Sequence, residues 1–90
     1  MKTVWKYPLQ IDDYQQVSLP EGAELLCVKI QKGAPCLWAL VDPSTPTRTI
    51  RTIRCAGTGH SIAPEYNKYL GTILIMNDDL VFHFFAREED

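Results

Sequence analysis

The chain has 90 residues, 46% of them apolar, with 9 basic side chains against 11 acidic ones and a net charge of −2. That length fits one domain over 1–90 with a thin core, a size at which association often adds stability, so a homo-oligomer is expected. The charge balance argues against general nucleic-acid binding, which needs a basic excess, and the apolar runs are far too short for a membrane span.

Met1 to Leu9 reads as a strand through Val4, Trp5, Tyr7 and Leu9, with Pro8 marking an edge or an end. Asp12-Asp13 turns into a short strand, Tyr14 to Leu19, and Pro20-Glu21-Gly22 turns again. In Glu24 to Gln31, Leu26, Val28 and Ile30 alternate with Cys27, Lys29 and Gln31. Lys32-Gly33-Ala34 reverses the chain. Cys36 to Val41 is apolar on both faces, so it belongs in the middle of a sheet or beneath a second sheet or a partner subunit.

Asp42 to Pro46 is a loop, and Thr47 to Cys55 is a strand. Ile50 and Ile53 have opposite parity there, which predicts a bulge or a strong twist between them. Gly57 to Lys68 is the longest irregular connection, with room for one short helical turn at Pro64-Glu65-Tyr66-Asn67. Tyr69 to Met76 and Leu80 to Phe85 form a hairpin around Asn77-Asp78-Asp79. Roughly seven short strands and no sustained 3.6-residue period predict an all-β fold, a small antiparallel sandwich or barrel.

The densest group of ligand-handling residues is Arg54-Cys55-Ala56-Gly57-Thr58-Gly59-His60. Gly57 and Gly59 let backbone approach a ligand, and a turn of this kind can cradle an anion. Arg54 adds a guanidinium suited to a phosphate, Thr58 a hydroxyl and His60 an imidazole. The motif is not a P-loop and lacks the third glycine of a dinucleotide fingerprint, so a plain tight turn is the competing interpretation. Trp5 and Tyr7 are expected first in core or interface packing and second as aromatic walls for a base. Trp38 is expected in the core.

Arg48, Arg51 and Arg54 recur every third residue, so they alternate faces and form no single stripe. Ordinary solvated strand arginines are the commoner outcome. If Phe82 and Phe84 face the core, His83 faces the other way with Val81 and Phe85. Two histidines without a clustered acid triplet make a poor zinc site, so neither a metal nor another cofactor is expected. No matched histidine pair supports catalysis, and no enzyme is expected. The odd set Cys27, Cys36 and Cys55, with no C-x-x-C pair and no signal-peptide pattern, fits reduced thiols in the cytoplasm. Arg87 to Asp90 is expected to be a frayed, solvated end.

Several stretches resemble a family of small phage and prophage proteins whose function is unknown. They are Trp5-Lys6-Tyr7-Pro8-Leu9, Leu19-Pro20-Glu21-Gly22-Ala23, Pro35 to Pro43, Gly57-Thr58-Gly59-His60, Tyr69-Leu70-Gly71-Thr72 and Leu80-Val81-Phe82-His83. The similarity spans nearly the whole chain, apart from Ser61 to Lys68. A looser resemblance is to compact phage sponges that sequester nucleotide signals of bacterial immunity, the Sequestins and Lockins. It transfers no binding residues. It implies a binding protein in the host cytoplasm that holds a cyclic ADP-ribose-like or histidine–ADP-ribose signal without cleaving it. The alternatives are a module that binds a host or phage protein, and a small cyclic-nucleotide hydrolase acting through His60 or His83.

Overall fold

The computed structural model describes residues 1–88. Seven strands follow one another: β1 (Thr3–Pro8), β2 (Tyr14–Pro20), β3 (Glu24–Gln31), β4 (Ala34–Val41), β5 (Arg48–Gly57), β6 (Lys68–Ile75) and β7 (Leu80–Ala86). Every ladder is antiparallel. β1-β4-β3 form sheet A and β2-β5-β7-β6 form sheet B. Among the described residues no ladder joins the sheets, so the barrel alternative gives way to two sheets around a shared core. The sheets meet where their edges β3 and β6 lie side by side.

Alternation builds the core. Leu37, Ala39 and Val41 of β4 and Val28 of β3 point inward from sheet A. Val17, Leu19, Ile53, Cys55, Ile73 and Phe84 answer from sheet B. Phe84, Leu37 and Ile53 are fully buried, and each such side chain contributes about 1.5–3 kcal/mol of transfer free energy. Pro8 lies in the edge strand β1, where its missing N–H costs no ladder bond. β4 is the central strand of sheet A. Its outward residue Trp38 is only half-buried and faces away from the core, contrary to the expected core position. Leu37 and Ala39 occupy the inward positions on either side of it.

Bulges lie elsewhere than expected. β5 pairs with β2 without interruption from Arg48 to Arg54, and Ile50 simply points outward, 61% exposed. The register shifts instead between Leu25 and Cys27 and between Tyr69 and Gly71. The first puts Leu25 in the core and leaves Leu26 exposed, so Leu26 does not share a face with Val28. The β6–β7 hairpin closes through Asp79 N–H donating to the Met76 carbonyl at 3.1 Å. Asn77 and Asp78 both have positive φ, 54° and 68°, as a type I′ turn requires. The 61–68 connection contains a single turn, Tyr66 N–H donating to the Ala63 carbonyl at 3.0 Å, in place of a helical turn. Among the described residues no helix is long and apolar enough to cross a membrane. Of the tail, Arg87 and Glu88 are exposed, and Glu89 and Asp90 lie outside the described residues.

All three cysteines are free thiols. Burial pushes the Cys55 thiol above its ordinary pKa, with the neighbouring Arg54 charge opposing the shift. Cys55 is therefore expected to resist alkylation in the native protein and to react at the rate of unfolding. Mass spectrometry of maleimide-treated protein across a urea series checks this, and rapid native labelling of Cys55 would contradict it.

Candidate functional site

β5 ends at Gly57, and the chain reverses over Gly57–His60 with His60 N–H donating to the Gly57 carbonyl at 3.1 Å. Gly59 has φ +92°, a conformation that glycine takes without a Cβ penalty. The His60 ring folds back so that Gly57 N–H donates to Nδ1 at 3.3 Å. That bond makes Nδ1 an acceptor, which places the neutral imidazole's proton on Nε2. Thr58, Gly59 and His60 are exposed at the tip.

Ladder register brings further groups to this turn. On the outer face of sheet B, Thr72 of β6 stands opposite His83 of β7, and Tyr69 stands opposite Phe85. His83 lies between two hydroxyls: Nε2 is 2.8 Å from Thr58 Oγ1 and Nδ1 is 3.0 Å from Thr72 Oγ1. The Tyr69 hydroxyl continues the chain to Thr72 Oγ1 at 2.6 Å. The Tyr69 and Phe85 rings pack tilted, 5.5 Å between centroids. A neutral imidazole has one donor and one acceptor nitrogen, so this chain can run in either direction. Whichever tautomer holds, one end, Thr58 or Tyr69, keeps a hydroxyl hydrogen for a ligand. A groove of about 450 Å³ begins at Tyr69 and Thr72 and runs along the seam between β6 and β3, past Cys27 and Lys29. That volume lies in the ordinary range for small-molecule sites.

Arg54 does not take part as an anion grip. It is only 8% exposed. Nη1 donates to the carbonyls of Cys55 at 2.8 Å and Asp13 at 3.3 Å, and Nη2 donates to the carbonyl of Ser61 at 3.0 Å. Its guanidinium also lies 5.0 Å from the centroid of the Tyr14 ring, which contacts Tyr66. Ile53 and Cys55 face the core while Arg54 and Ala56 face outward, yet all four are buried. The connection carrying Ser61 and Tyr66 therefore covers the outer side of β5, and Arg54 pins it there. Arg51, on the opposite face, is also buried, with Nη2 donating to the Arg87 carbonyl at 2.7 Å. The expectation of solvated strand arginines thus fails at both positions, because β5 is covered on both sides. The face alternation itself is as expected.

Trp5 and Tyr7 do not join the glycine turn. They stand opposite Ala39 and Leu37, two core residues, and so lie on the inward side of sheet A. Tyr7 packs against the core, and Trp5 remains 38% exposed at the edge strand. Sheet B separates both from Thr58 and His83. Tyr69 and Phe85 provide the aromatic surface at the turn instead. Residue parity had placed His83 on this outer face, but Thr72 and Tyr69 become its neighbours only through the β6–β7 register.

A family model described as a domain of unknown function, DUF7352, matches residues 1–90. The chain belongs to that family. No curated protein and no solved structure matches it. His83 lacks a carboxylate behind it, since Nδ1 meets the Thr72 hydroxyl. Among the described residues the pair Thr58–His83 accordingly has no carboxylate hydrogen-bonded to the ring, unlike a nucleophilic triad.

Proposed function

We propose that this DUF7352 chain is a binding protein that holds a nucleotide-derived small molecule without cleaving it. The observation that carries this reading is the chain Thr58–His83–Thr72–Tyr69 opening onto the β3–β6 groove. Hydroxyls and an imidazole suit ribose hydroxyls and base edges, while the exposed Tyr69 ring gives a base something to stack on. The Gly57–His60 turn supplies backbone and imidazole donors within reach of Thr58 for a phosphate. In this reading the ligand is cyclic ADP-ribose-like or histidine–ADP-ribose, and the chain is a phage product that removes an immune signal in the host cytoplasm. A hydroxyl–imidazole set with no carboxylate hydrogen-bonded to the ring among the described residues favours capture over chemistry.

The test is thermal melting against cyclic ADP-ribose isomers, histidine–ADP-ribose, cyclic di- and trinucleotides, and ADP-ribose. Ligand at about 100 times its Kd adds roughly 2.7 kcal/mol. A rise with one compound, recovered unchanged after denaturation, is the expected result. In His83→Phe the affinity should fall about tenfold or more, since two hydrogen bonds to the ring are lost. Recovery of altered nucleotide would identify a hydrolase. No shift with any compound would overturn the nucleotide reading. A protein partner would then be favoured, and β1 and β2, the edges of the two sheets away from the β3–β6 seam, offer backbone for β-strand addition.

A further inference from the structure

The two outer faces of this molecule are treated differently. That of sheet B is covered over β5 by the chain's own 58–67 connection, pinned by Arg54. That of sheet A has no such cover. The 9–13, 21–23 and 42–47 connections run between the two sheets, and among the described residues the only connection within sheet A is the tight Lys32-Gly33 turn. An antiparallel sheet with one face in water normally carries polar residues there. Here the outward row of β4 is Leu40, Trp38 and Cys36, flanked by Val4 of β1 and Cys27 of β3. Val4 is 48% exposed, Trp38, Leu40 and Cys27 are half-buried, and Cys36 is buried.

The charges on this face are arranged about a centre. Along β4 the outward residues are evenly spaced around Trp38. Glu24 stands beside Leu40 on one side of that row, and Lys29 stands beside Cys36 on the other. Both are exposed, and neither makes an ion pair among the described residues. We propose that two copies of this chain pair through the outer face of sheet A, around a two-fold axis that crosses the strands at the Trp38 row.

That operator carries Glu24 of each copy onto Lys29 of the other, twice, stacks Trp38 on Trp38 and Leu40 over Cys36, and sets the Lys6 positions of the two copies opposite each other. It is an isologous contact, self-complementary by construction. A two-fold axis along the strands would instead carry the β3 column onto β1 and leave Glu24 over Val4, so charge selects the first arrangement. Lys6 stands opposite Trp38, on the axis row, but its Nζ donates to Gln31 Oε1 at 2.7 Å, which draws the charge off the axis toward β3 and lays the methylene stem across β4. The pairing does not rest on the nucleotide reading. Cys27 and Lys29 also border the groove, so the test is made without nucleotide.

The test is sedimentation of the full chain over a wide concentration range. The expected mass is twice the 10.2 kDa of one chain. Glu24→Lys and Lys29→Glu are surface changes that leave the core intact, and each should weaken pairing by about tenfold or more through like-charge contacts. The double variant Glu24→Lys/Lys29→Glu should return to within about threefold of the parent. A bis-maleimide spanning two facing sheets, about 10 Å apart, should link Cys27 to Cys27 between copies and not in the single charge variants. A parent that stays monomeric up to millimolar concentration would overturn the proposal. So would a dimer indifferent to both single changes.

Discussion

Arg54→Ala is expected to lose about 3–5 kcal/mol of stability and more than about 12 °C in melting temperature. The guanidinium donates to carbonyls on three segments: Asp13 before β2, Cys55 within β5, and Ser61 in the long connection. Truncation removes these charge-assisted bonds and leaves the buried Cys55 carbonyl short of a donor. The Asp13 carboxylate at 3.6 Å adds little to this, because it is exposed. Loss of the anchor also frees the connection to lift from β5, exposing Ala56 and the end of the strand. A domain of this size has a total stability of roughly 5–13 kcal/mol, so the variant should be marginal. Arg54→Lys keeps the charge, but one ammonium cannot span three separate carbonyls, and it should recover only part of the loss. Melting of Arg54→Ala within about 4 °C of the parent would refute the anchoring role.

Gly71→Ala should cost about 3 kcal/mol or more, for a different reason. Gly71 lies in β6 where the two sheets meet, with φ +153°. A Cβ there would run into the backbone carbonyl oxygen of Val28 in β3. Backbone on both sides cannot rotate away as a side chain can, so the seam itself must open. Gly33→Ala is the matched control: its φ is +79°, but nothing lies within 4 Å of the added carbon. That variant should lose only about 1–2 kcal/mol, the cost of a left-handed conformation. Urea midpoints of the two variants make the comparison. Equal losses would mean that the contact between β3 and β6 is not tight.

Strand positions were readable because they are local. Alternation marked β3 and β7, and turn residues at Lys32-Gly33 and Asn77-Asp78 marked the reversals. Bulges were not readable. The Ile50/Ile53 parity pointed to β5, yet Ile50 is merely an outward apolar residue, whereas Leu26 and Leu70 carry the shifts without any distinctive residue type. The site divided along the same line. Gly57-Thr58-Gly59-His60 was visible as a turn with ligand-handling groups. The outward orientation of His83 followed from Phe82 and Phe84. That Thr72 and Tyr69 complete its hydrogen-bond chain did not follow, because it depends on which strand pairs with β7 and in which register.

By itself the sequence determined that this chain is all-β, where its strands and turns fall, and which way residues on most strands point. Those properties come from backbone preferences and a two-residue period acting over a few neighbours. The tertiary structure alone decided which sheet each strand joined, that Arg54 serves the fold, and that Trp5 and Tyr7 face the core side of sheet A while the glycine turn borders the outer side of sheet B. The physical reason is that these facts rest on contacts between residues far apart in the chain, such as Arg54 with Asp13 and Thr58 with His83. Such contacts form only when burial and ladder register are satisfied everywhere at once.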